Sequence, residues 1–153
     1  MKYIYIFIFL TIAIGCAGKL IKFDQYSMAM NLEVEADTSI FIGDDDQFTG
    51  ILFLRPIMES EKLKMNKVKL IKNYGKYYLC AEKFKNVWII EPRSDGLTAS
   101  YKAVDVTPED KKDRYEHIGF SRYGTKDNVC VKFKFNNQNM YIDKKGKVNE
   151  ECN

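Results

Sequence analysis

The sequence predicts a mainly β protein: a single antiparallel β-barrel or sandwich of about eight or nine strands, with one short helix near residues 108–118. Three observations carry that expectation. Apolar residues recur with a period of two rather than 3.6. Asn, Asp and Gly clusters interrupt the pattern at short intervals, as tight turns require. One stretch alone carries the chemistry of a helix start. The chain has 153 residues, 46% of them hydrophobic and 29% charged, which suits one folded domain.

The first element is a leader. Lys2 precedes an apolar run from Tyr3 to Ile14, and Gly15, Cys16, Ala17 and Gly18 follow it. The run is too short for a transmembrane helix, which needs about 20 apolar residues. It fits a signal peptide spanning 1–17, with Gly15 and Ala17 at the small-residue subsites and a secreted domain over 18–153. An alternative takes Cys16 as the lipid-bearing residue of a bacterial surface lipoprotein, although Ala13 stands where that box prefers a bulky aliphatic.

The strands follow. Met28, Met30, Leu32, Val34 and Ala36 fall on one side of an extended segment, with Glu33 and Glu35 on the other. Val129, Val131, Phe133 and Phe135 alternate in the same way with Cys130, Lys132 and Lys134. A slip of one residue would bury two Glu or two Lys, so both registers are well specified. Further strands are expected at 39–42, 48–54, 63–65, 68–71, 76–81, 86–91 and 97–106. Turn chemistry lies at Gly43–Asp46, Asn73–Gly75, Ser94–Gly96, Asn136–Asn139 and Asp143–Gly146. Thr107-Pro108-Glu109-Asp110 reads as an N-cap, a first-turn proline and acids at the positive end of a helix dipole. Tyr115 and Ile118 supply its apolar stripe, and Gly119 ends it.

Two partial resemblances fall short of a family. Thr107–Phe120 resembles the late helix of a lipocalin, but the only tryptophan, Trp88, lies mid-chain rather than in an early Gly-x-Trp. Phe41-Ile42, Tyr78-Leu79 and Tyr141-Ile142 are similar to a β-trefoil repeat, but their spacings of 37 and 63 are unequal. Neither assigns a family.

Four cysteines occur, and loss of the leader leaves Cys80, Cys130 and Cys152. A secreted chain is expected to bridge two of them, in any of three pairings. Cys152 lies near the mobile end and is expected in whichever bridge forms. The odd thiol is either a buried free cysteine or a link in a disulfide-linked dimer. There is no Asn-x-Ser/Thr acceptor for N-glycosylation.

Candidate chemistry is sparse. His117 is the only histidine, with Asp113 four residues before it, but no Gly-x-Ser-x-Gly elbow or reactive-cysteine context accompanies it. A histidine near a helix C-terminus needs no catalytic explanation. Asp44, Asp45 and Asp46 suit a solvated hairpin tip better than a cation site, since the alternating ligands of an EF-hand are missing. Glu33 and Glu35 stand about 7 Å apart on one strand face, an ordinary polar exterior. No metal or cofactor is expected.

The lysines are more suggestive. Lys62, Lys64, Lys67, Lys69, Lys72 and Lys76 cluster with Tyr74, Tyr77 and Tyr78, and Lys144, Lys145 and Lys147 form a second group. The strip Lys62, Lys64, Lys67, Lys69, Tyr74, Tyr77 and Tyr78 is the expected binding surface, of a kind that attracts a heparin-like anionic polysaccharide, anionic lipid or nucleic acid. The formal charge of +3 is too small to indicate nucleic acid.

No phosphate loop, dinucleotide fingerprint, zinc motif or nucleophile motif occurs. The expected function is therefore that of a secreted, non-enzymatic effector, of the kind released in saliva, venom or parasite secretions. It would bind a receptor, channel or plasma protein, with vasoactive, anti-haemostatic or immune-modulating effect. The alternative is a lipocalin-like carrier whose Met and aromatic side chains (Met28, Met30, Met58, Met65, Tyr77, Tyr78, Trp88, Tyr101) line an apolar cavity.

Overall fold

The alternating pattern becomes eleven strands among the described residues, which are 29–44, 48–94, 98–106, 119–125, 128–135 and 138–152 of a computed structural model. They are β1 (Met30–Glu33), β2 (Ser39–Asp44), β3 (Phe48–Phe53), β4 (Lys67–Asn73), β5 (Lys76–Cys80), β6 (Asn86–Pro92), β7 (Ala99–Asp105), β8 (Gly119–Thr125), β9 (Asn128–Phe135), β10 (Gln138–Ile142) and β11 (Val148–Asn149). One helix, α1 (Arg55–Glu61), connects the β2–β3 hairpin to β4. All pairings are antiparallel, in a five-stranded sheet of order β1-β4-β5-β6-β7, a four-stranded sheet of order β11-β10-β9-β8, and the two-stranded β2–β3 unit. Among the described residues the sheets do not close into a barrel, and of the two expected architectures they fit the sandwich-like one.

The five-stranded sheet is the middle layer and is covered on both faces. Val68, Leu70, Tyr77, Leu79, Trp88 and Ile90 point one way and pack with Ile40, Ile42 and Leu52 of the hairpin and Ile57 of α1. Ile71, Tyr78, Cys80, Val87, Ile89 and Val104 point the other way, against Phe120, Val131, Phe133 and Ile142 of the four-stranded sheet. Side chains alternate across a strand, so consecutive residues serve different cores. The double burial explains why β5 and β6 read as dense apolar runs in the sequence. At one corner, the Ala29 N–H donates to the Phe120 carbonyl at 3.1 Å, a bond between the edges of the two larger sheets.

The turns behave as their residues dictate. Tyr74 and Gly75 both take positive φ, 49° and 72°, in the two-residue β4–β5 connection. Asp143 Oδ1 accepts from the Lys145 and Lys147 N–H groups, and Gly146 adopts φ 78° against Ile89. A side-chain carbon at Gly146 would stand 2.8 Å from Ile89 Cδ1, so that side chain would have to shift, and the positive φ strains any other residue here whatever the space.

Several expectations change. The helix expected at 108–118 lies outside the described residues, as do the expected leader at 1–17 and His117. The helix that is described, α1, occupies a stretch where none was expected. Pro56 sits at its start rather than breaking it, and Lys62 ends it in the left-handed region at φ 53°. Residues 63–65, expected as a strand, are irregular and follow the left-handed Lys62 that ends α1. Gln138 and Asn139 belong to β10 rather than to a turn.

Cys130 and Cys152 form the disulfide, closing a separation of 22 residues and fastening the C-terminal tail to β9. Cys80 is free and fully buried. The thiol left out of the bridge is thus a buried one.

Candidate functional site

Residues 62–66 form an irregular ridge between α1 and β4, with a groove on each side. On one side, a groove of about 720 Å³ is lined by Lys64, Lys67, Lys69 and Lys83, with Asn31 and Glu82 among its polar residues and Met65, Val68 and Ala81 among its apolar ones. Its four lysines and one glutamate leave a formal charge of +3. On the other side, a groove of about 830 Å³ holds Arg55, Lys62 and Lys64 opposite Glu35 and Glu59, a formal +1. The first is the more strongly charged.

The strand period places its lysines. Val68 enters the hairpin-side core, so Lys67 and Lys69 project from the opposite face of β4. Register sets Lys69 between Asn31 of β1 and Cys80 of β5. Lys67 lies opposite Glu33, with Nζ 3.7 Å from the carboxylate. Both side chains are highly exposed, so that ion pair contributes little and leaves the ammonium accessible. Lys83 comes from the β5–β6 connection, where it adopts φ 66°.

The structure thus gathers Lys62, Lys64, Lys67 and Lys69 around one ridge and separates the tyrosines from them. Tyr74 is exposed but lies in the turn at the far end of β4, where its hydroxyl accepts from the Val129 N–H at 3.3 Å. Tyr77 and Tyr78 are fully buried, one in each core, and form no part of a surface. The expected lysine–tyrosine strip is corrected accordingly: tyrosines on consecutive positions of a strand covered on both faces must both go inside. Lys72 is also buried, and Lys76 pairs with Glu91 at 2.7 Å. Lys144, Lys145 and Lys147 lie at the β10–β11 turn, in the other sheet layer.

Glu61 is the residue that sequence reasoning missed. It is only 2% exposed and accepts four hydrogen bonds. Oε2 takes the Lys85 N–H at 2.8 Å. Oε1 takes the Asn86 N–H at 3.2 Å, Asn86 Nδ2 at 2.7 Å and Trp88 Nε1 at 2.9 Å. One groove wall follows Glu61 in the chain and the other, 80–83, precedes Lys85. A single carboxylate therefore ties the two walls together. The only signal was a Glu at helical spacing from Leu54 and Ile57, and nothing in the sequence showed that it would be buried.

Beneath the groove, burial holds the Cys80 thiol well above the usual thiol range, against a smaller opposing pull from the Lys69 ammonium. It is a packed apolar group, not a nucleophile. Burial also pushes the Tyr78 phenol up to about 12, with the negative charges of Asp143 and Glu91 adding to the effect.

Glu33 is exposed on the outward face of β1, and Glu35 just beyond the strand is exposed as well. Asp113, Asp45 and Asp46 lie outside the described residues. Among the described residues, no group of three or more His, Cys, Asp or Glu could hold a metal ion. No described helix is long and apolar enough to cross a membrane. No family model matches the chain, and it matches neither the curated proteins nor the solved structures.

Proposed function

We propose that the protein is a secreted, non-enzymatic effector that binds an acidic surface of an extracellular protein, a receptor, channel or plasma protein, through the lysine groove. The observation that carries this reading is the convergence of Lys64, Lys67, Lys69 and Lys83 on one concavity with a single acid. A concave wall of one charge focuses potential and raises the rate of encounter with an oppositely charged partner. The Cys130–Cys152 bridge suits an oxidising compartment, as the leader at 1–17 does. Effectors released in saliva, venom or parasite secretions work in such a compartment. The carrier reading has less support, because Tyr77, Tyr78 and Trp88 fill the cores and the sheets form no barrel mouth.

The test uses the unreduced protein on surfaces of immobilised poly-glutamate and heparin. Binding to poly-glutamate is expected at low salt, weakened at least tenfold by the double substitution Lys64→Glu, Lys69→Glu. Unchanged binding in that variant would overturn the groove assignment. Retention on heparin alone would replace the acidic protein with an anionic polysaccharide.

A further inference from the structure

The β2–β3 hairpin presents a second surface, unlike the groove in every respect. Ile40, Ile42, Leu52 and Leu54 on its inner face are buried, while Phe41, Ile51 and Phe53 on its outer face are 48%, 48% and 57% exposed. Phe41 lies directly across from Ile51, and Phe53 follows Ile51 by two residues, so the three form one contiguous patch. Large apolar side chains exposed together mark a contact surface, whereas scattered single ones do not.

Among the described residues, the backbone beside the patch is also open. The Leu54 N–H donates to the Thr38 carbonyl at 2.8 Å, which makes Thr38 and Leu54 a hydrogen-bonded pair. Such pairs alternate, so Ile40 pairs this way with Leu52 and Ile42 with Gly50. The N–H and C=O groups of Phe41 and Gly43 then point away from β3, along the outer edge of β2. No third strand pairs with the hairpin among the described residues. The opposite edge is partly covered, since the Phe53 backbone hydrogen-bonds the Tyr101 hydroxyl.

Charge selects the occupant. From residue 23 to residue 54 the chain contains no Lys or Arg, and Asp37 precedes β2 while the run Asp44, Asp45 and Asp46 ends it. Acids flank β2 at both ends. A second copy adding its own β2 antiparallel across Phe41 would bring the Asp44 end of one strand against the Asp37 end of the other, setting like charges together. A cationic strand meets the opposite situation.

We propose that the β2 edge and the outer hairpin face take up an extended, cationic segment of a partner protein with alternating apolar residues, added as a third strand. Its backbone would bond the Phe41 and Gly43 edge groups, its apolar side chains would extend the Phe41–Ile51–Phe53 face, and its basic side chains would meet the flanking acids. This is strand addition, in which main-chain bonds give affinity and side-chain pattern gives selectivity.

The probe is a labelled heptapeptide, Lys-Val-Lys-Val-Lys-Val-Lys, with Glu-Val-Glu-Val-Glu-Val-Glu as control, read by fluorescence anisotropy. The cationic peptide is expected to bind at least tenfold more tightly and to protect the Phe41 and Gly43 amides from hydrogen exchange. Phe41→Thr with Ile51→Thr should weaken it at least tenfold, and Asp44→Asn, which leaves the apolar face intact, several-fold. Lys64→Glu with Lys69→Glu should not weaken it, which separates this site from the groove. Equal affinity for the two peptides, full binding by the Thr variant, or self-association through the hairpin in sedimentation would overturn the proposal.

Discussion

Glu61 and Tyr78 are buried polar residues with opposite circumstances, and substitutions separate them. Every proton donor around Glu61 finds a carboxylate oxygen. Glu61→Ala orphans two backbone N–H groups and the Trp88 indole, and it should destabilise the fold by about 3 kcal/mol. Glu61→Gln keeps the acceptor facing Asn86 and Trp88 but turns an amide NH₂ toward the Lys85 N–H, at a cost of about 1–2 kcal/mol. Urea unfolding followed by Trp88 fluorescence measures both. The Tyr78 hydroxyl, in contrast, has no hydrogen-bond partner among the described residues. Tyr78→Phe removes an unsatisfied group and should leave stability unchanged or slightly raised at pH 7. The phenol also sets an alkaline limb. Its folded value of about 12 lies above the ordinary 10.0, so the unfolded chain releases this proton first as pH rises. Stability is fully present below pH 10 and falls between about 10 and about 12, by up to about 1.4 kcal/mol per pH unit. Tyr78→Phe should flatten that decline, and an unaltered slope would show that other groups cause it.

At the scale of elements, the C-terminal tail depends on its disulfide. β11 has only two residues, too few to hold a sheet edge unaided, and Cys152 anchors the chain just beyond it. Closing a loop of 22 residues stabilises by about 3 kcal/mol in the chain-entropy account, so Cys152→Ser should lower stability by about that amount. It should also release the amides of β11 to exchange ahead of those of β9. The sequence disclosed the strands better than the helix for a physical reason. Val131 and Phe133 alternate with Lys132 and Lys134, and a period of two has no competing explanation. Across α1 and its N-cap the buried stripe is Leu54, Ile57 and Glu61, and a charged residue at the third position erases the apolar period. Pro56 reads as a breaker until its place in the first turn is known. The groove was legible to the same extent. Its β4 lysines follow from alternation around Val68, whereas Lys83 and Asn31 arrive through tertiary pairing, which no local pattern encodes.

The whole molecule is organised by one sheet buried on both faces, and this governs how it should unfold. Tyr77 and Leu79 belong to the hairpin-side core, while Tyr78 and Cys80, their immediate neighbours, belong to the core shared with the four-stranded sheet. The same interleaving runs through β4 and β6. Both cores hang on the same backbone ladder, so losing either one strips a face from the strands that carry the other. Two cores would ordinarily suggest two cooperative units; here they should behave as one. Leu79→Ala on one face and Ile89→Ala on the other each remove a side chain at most 1% exposed, and each should cost about 2–5 kcal/mol. The decisive reading is the shape of the transition. Trp88 fluorescence reports the hairpin-side core, and hydrogen exchange at Val131 and Phe133 reports the other. In both variants the two probes should shift together with an unchanged denaturant slope, as a single two-state unit requires. If Ile89→Ala instead opened the four-stranded sheet while Trp88 stayed native, the middle sheet would be a platform for two separable layers rather than the spine of one.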